Sequence, residues 1–127
     1  MRCITMYRPR ADAEPIGTLD EQEMAKLGNL IEEQKAAGVL LANEGFQPTA
    51  KGARVGIDHG SFTVIDGPFA EAKEVITGFA ILQAASKDEA VEHVKRFLSL
   101  MGGGECEVRL LREMGDLGNP APATALP

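Results

Sequence analysis

Thr77-Gly78-Phe79-Ala80-Ile81-Leu82 is apolar at almost every position and does not alternate. A half-solvated strand alternates apolar and polar residues, so a continuous run predicts a strand buried on both faces. Such a strand needs cover on two sides, and the chain carries only two helical patterns to supply it. The first opens at Thr18-Leu19-Asp20-Glu21, which has the spacing of a capping box, and runs to about Ala37. Gly38 then stands where a left-handed residue ends a helix. The second opens at Ser86-Lys87-Asp88-Glu89, again a capping box, and runs to about Leu100, just before Gly102-Gly103-Gly104.

The remaining β patterns are Arg2 to Tyr7, Val39 to Phe46, a hairpin of Ala53 to Asp58 and Ser61 to Ile65 around His59-Gly60, and Glu105 to Leu111. The order is thus β-α-β, hairpin, β-α-β. That predicts an α+β fold, a ferredoxin-like βαβ(ββ)βαβ unit with both helices on one face of an antiparallel sheet. First and last strands neighbour each other in such a sheet, which would bring Cys3 and Cys106 close without requiring a disulfide. Both helices serve the same face, so the other side of Thr77 to Leu82 is left to water. At roughly 25 cal/mol per Å² that exposure costs many kcal/mol. A second copy packing sheet against sheet removes it with one surface used twice, so a homodimer is expected.

A chain of 127 residues predicts one domain, here 1–114, followed by a flexible tail at 115–127 that is rich in Pro and Ala and poor in large apolar side chains. The net charge of −6 and the lack of basic runs argue against a nucleic-acid surface. No apolar run reaches the length of a membrane span and the N-terminus has no signal-peptide pattern, so a cytoplasmic location is expected. Cys3, Cys106, His59 and His93 fall in no metal-ligand or redox spacing, and neither a metal nor a cofactor is expected. Both cysteines read as buried, reduced thiols, and His59 as a solvated hairpin tip. His93, at the flank of the stripe formed by Ala90, Val91, Val94, Phe97 and Leu98, reads as a half-buried structural histidine, with a ligand role as the alternative.

The candidate site gathers around Thr63 to Glu74. An apolar strand there turns through Asp66-Gly67-Pro68 and then places Glu71, Lys73 and Glu74 among small residues. Pro restricts its own φ and the residue before it, so the turn holds these side chains with little freedom. Asp66 is the candidate acid or base, because a carboxylate at the edge of an apolar cleft can be raised toward neutrality. The same Asp could instead accept bonds from turn amides. Lys73 would hold an anion, Glu71 or Glu74 would orient it, and Phe69 would either touch the ligand or plug the loop onto the core. Glu44 is a lone charge in an apolar strand. In the first helix, Glu23 and Gln34 share the arc of Met24, Leu27, Leu30 and Ile31. They either reach water from the helix ends or line a cleft between helix and sheet.

Asn43-Glu44-Gly45-Phe46-Gln47-Pro48, the stretch Asp66-Gly67-Pro68-Phe69-Ala70-Glu71-Ala72-Lys73-Glu74, and Gly78 opening the apolar strand together resemble the DGPF group of the YCII-related proteins. The resemblance runs from Met1 to about Arg112. It implies a dimeric α+β barrel, two ferredoxin-like units joined through their sheets, and for some relatives a regulatory setting beside sigma factors. It also implies a His–Asp pair in a cleft beside the sheet, with Asp66 matching the acidic position. The first helix, Asp20 to Ala37, holds no histidine, so that chemistry does not carry over intact. Two functions stay open: a module binding a small, anionic or aromatic-derived ligand near Asp66, and an enzyme of hydratase, lyase or cofactor-free oxygenase type using Asp66.

Overall fold

A computed structural model describes residues 1–9, 19–69 and 76–117. Strand β1 (Arg2–Arg8) leads to helix α1 (Glu21–Ala36) and strand β2 (Leu40–Gly45). A 3-10 turn (Thr49–Lys51) precedes the hairpin of β3 (Ala53–Asp58) and β4 (Ser61–Asp66). Then come β5 (Gly78–Gln83), α2 (Lys87–Met101), β6 (Glu105–Leu110) and a single helical turn, α3 (Met114–Leu117). That last turn crosses position 115, where the expected tail begins; residues 118–127 lie outside the described residues.

Four strands form one antiparallel sheet in the order β2-β5-β1-β6, and β3 and β4 form a second sheet of their own. With α1 and α2 this is an α+β fold whose strand order fits a ferredoxin-like unit. The expected neighbouring of first and last strands holds. Its corollary for the cysteines does not: Cys3 pairs with Leu110 while Cys106 pairs with Tyr7. Four residues at about 3.4 Å each separate the two positions along the strands. Both thiols are free, with Cys3 fully buried and Cys106 half-buried.

Register assigns the faces. Cys3, Thr5 and Tyr7 are buried, and their partners Leu82, Ala80 and Gly78 on one side and Leu110, Val108 and Cys106 on the other share that face with them. Cys3, Leu40, Leu82, Ala84 and Ala90 make the core, with Ile31, Val39, Ala80 and Val108 packed against it. The opposite face carries Ile4 against Ile81 and Met6 against Phe79. Toward β6 it becomes charged, where Arg8 pairs with Glu105 at 3.5 Å and Glu107 at 3.3 Å. Phe79 and Ile81 are only half-buried, so within one chain the apolar strand is covered on the helix side and partly open on the other.

The helix ends follow local chemistry, with one shift. Asp20, not Thr18, caps α1: its carboxylate accepts from the Glu23 amide at 2.7 Å, and the Glu23 carboxylate accepts from the Asp20 amide at 3.3 Å. Thr18 lies outside the described residues. Gly38 takes the left-handed conformation expected of it, with φ of 74°. Ser86 caps α2, its hydroxyl accepting from the Glu89 amide at 3.1 Å, while Glu89 reaches back to the amide of Ala85 and not to that of Ser86. An Arg96–Glu33 ion pair ties the two helices together on their solvent side.

Candidate functional site

Between the helices and the buried sheet face lies a cavity of about 230 Å³. Its walls are mainly apolar: Leu27, Leu30 and Ile31 from α1, Val94 and Phe97 from α2, and Leu40, Ala80 and Leu82 from the sheet. Against these stand a few polar groups, Thr5 and Tyr7 on β1, Gln34 on α1, Asn43 and Glu44 on β2, Thr77 before β5, His93 on α2 and Cys106 on β6. A mostly apolar concavity with a small convergent set of polar side chains is the ordinary form of a small-molecule site.

Two of those polar groups are already occupied. The Tyr7 hydroxyl donates to the Gly103 carbonyl at 3.2 Å, and its ring meets Phe97 edge-on with centroids 5.2 Å apart. The Thr5 hydroxyl donates to the Ala80 carbonyl at 3.5 Å. Two others are buried without a hydrogen-bond partner, Thr77 Oγ1 and His93 Nε2. The Glu89 carboxylate, 3.7 Å from His93 Nε2, is beyond hydrogen-bond reach. The Cys106 thiol, half-buried at the same wall, is pushed up to about 11, first by burial and then by the negative charge of Glu105.

The five described candidate residues do not form one site. Gln34 and Glu44 line the cavity. Glu23 is the reciprocal partner in the α1 cap, so its place on the apolar arc reflects the helix start. Phe69 lies in a separate shallow groove with Gln47, Pro48, Thr49 and Lys51. There its amide donates to Thr49 Oγ1 at 3.3 Å, and the Arg54 guanidinium sits 4.0 Å from its ring centre. Asp66 is exposed at the end of β4, opposite Ala53, and is not among the residues lining the cavity. Glu71, Lys73 and Glu74 lie outside the described residues.

The turn after Asp66 is held by a backbone interlock. A Cβ at Gly67 would collide with the Thr49 carbonyl oxygen and lie 2.6 Å from its carbon. The Gly67 amide meanwhile donates to the Gly52 carbonyl at 3.0 Å, and the Gly67–Pro68 peptide is cis. Gly is thus required for close approach of two backbones, where the sequence suggested only a turn that places side chains. Thr5, Tyr7, Thr77, His93 and Cys106 escaped selection as site residues. His93 gave a signal, at the flank of the α2 stripe; the others meet only through strand pairing.

Among the described residues no group of three or more His, Cys, Asp and Glu side chains could hold a metal ion, and no helix is long and apolar enough to cross a membrane. An uncharacterized protein of Rhizobium meliloti (strain 1021) is 36% identical over 76 residues, which cover 60% of this chain and 61% of that relative. This chain therefore spans about three fifths of the relative's length. The family profile of the YCII-related domain matches residues 1–114, nearly the whole of the described chain, and the protein belongs to the YCII-related family.

Proposed function

We propose that the protein binds a small molecule in the cavity between α1, α2 and the sheet, and that it does so as a homodimer. The observation that carries the binding proposal is the pair of partnerless buried atoms, Thr77 Oγ1 and His93 Nε2, on the wall of one mostly apolar cavity. An unmade buried hydrogen bond costs about 1–3 kcal/mol, and a ligand reaching both groups would recover part of it. A cavity of 150 Å³ suffices for benzene. At about 230 Å³ this one suits a single ring with a short substituent.

Binding without turnover is the better-supported reading, because Asp66 stands outside this cavity. A sensing role would also accord with the regulatory setting that the resemblance implies. The homodimer is supported by the hairpin. Val55, Ile57, Phe62 and Val64 share one face of it and are 63–73% exposed. Covering four such side chains is worth roughly 4–8 kcal/mol per copy, on the scale of a domain's whole stability. A second copy supplies the same face in return.

Toluene tests the cavity directly. It should raise the melting temperature with a concentration dependence set by its Kd. Ala80→Leu, which places a larger side chain on the cavity wall, should abolish that rise while keeping the fold. An unchanged melting temperature in the parent protein at saturating toluene would sink the proposal.

A further inference from the structure

The walls of this cavity also restrict what charge its ligand can bear, an inference that rests on the cavity being a binding site. Among the described lining residues there is no Lys or Arg, and the one carboxylate is that of Glu44 on the edge strand β2. Beside His93 the Glu89 carboxylate stands 3.7 Å from Nε2, a negative charge that would oppose an anion there. Moving a carboxylate out of water into such a site is strongly unfavourable without a paired cation. The raised Cys106 thiol reports the same property of the wall, that it is poor at holding negative charge.

The wall nevertheless offers unsatisfied polarity. Thr77 precedes β5 and His93 lies midway along α2, so two separate elements bring partnerless polar atoms to one cavity. A hydroxyl can donate or accept, and a neutral imidazole nitrogen does one or the other according to its tautomer. A ligand oxygen that both donates and accepts matches either group. We infer that the cavity takes an uncharged, ring-sized molecule bearing one hydroxyl or carbonyl oxygen, with that oxygen recognised by Thr77 and His93. The sequence suggested instead an anionic ligand held by Lys73, which lies outside the described residues.

Matched probes separate charge from shape. Benzyl alcohol, benzoate and toluene share one ring, and calorimetric titration of the full chain at neutral pH compares their Kd values. Benzyl alcohol should bind roughly tenfold or more tightly than benzoate, given the cost of an unpaired charge. It should also outbind toluene by roughly fivefold, the worth of one neutral hydrogen bond. In Thr77→Val, which removes the hydroxyl and keeps the branched shape, the advantage over toluene should shrink while toluene itself binds as before. His93→Phe provides the same readout should the first variant fold poorly. Benzoate binding as tightly as benzyl alcohol, or an alcohol preference untouched in both variants, overturns the assignment and leaves the cavity reading standing if toluene still binds. Failure of all three probes overturns both.

Discussion

At Gly67 a missing methyl group decides the local structure, since the Thr49 carbonyl occupies the space a side chain would need. The neighbour is backbone, so it cannot swing aside as a flexible side chain would. Gly67→Ala should therefore cost about 3 kcal/mol or more, the upper end for overpacking, read as a lower urea midpoint. Cys106 shows a different single-residue effect. Its thiol is raised from an ordinary 9.0 to about 11 by burial first. The neutral form is the one the fold favours, so its contribution is complete below pH 9 and is lost as pH rises through about 11. In a Cys3→Ala background, iodoacetamide should label Cys106 far more slowly at pH 8 than it labels free cysteine. The rate should climb through the alkaline range. Labelling as fast as free thiol at pH 8 would contradict the buried placement.

Helices and strands were largely legible in the sequence, and the misreadings have local causes. Thr18 with Glu21 and Asp20 with Glu23 both satisfy a capping box in overlapping frames, so sequence spacing alone could not choose between them. The structure uses the second. Asp20→Ala should lower stability at pH 7, read as a lower denaturant midpoint. The Asp20 carboxyl is lowered, chiefly by the bond from the Glu23 amide, so the cap's contribution is present above the ordinary value of 3.8. It should vanish as pH falls through the lowered value, leaving parent and variant with equal stability in acid. Gln34 was legible as a cleft residue because helical period places it on the Leu30 arc. Thr5, Thr77 and His93 were not, because a cavity wall drawn from β1, the approach to β5 and α2 exists only once the sheet order is known. Asp66 drew attention for the rigidity of its turn, and that rigidity turns out to belong to the Gly67–Thr49 contact.

At the scale of the whole molecule, two exposed apolar surfaces among the described residues differ in kind. The open sheet face mixes Ile4, Met6, Phe79 and Ile81, all half-buried, with the Arg8, Glu105 and Glu107 ion pairs. The hairpin face is apolar along Val55, Ile57, Phe62 and Val64, with Asp66 only at its end, and is far more exposed, with Phe62 at 73% and Val55 at 67%. Burial there has more to gain, so the hairpin should dominate the free energy of pairing, with the mixed sheet face setting register through its charges. Substituting Phe62→Glu and Val64→Lys would place charge in the centre of that patch, where an interface tolerates it least. Sedimentation velocity should then show the parent as a dimer at micromolar concentration and the double variant as a monomer. Both positions are solvent-facing in the single chain, so the variant's helical circular dichroism should match the parent's. The parent alone should melt at a temperature that rises with protein concentration, as linkage between folding and association requires. A parent that sediments as a monomer at that concentration would refute the pairing, and a double variant that stays dimeric would move the interface to the open sheet face.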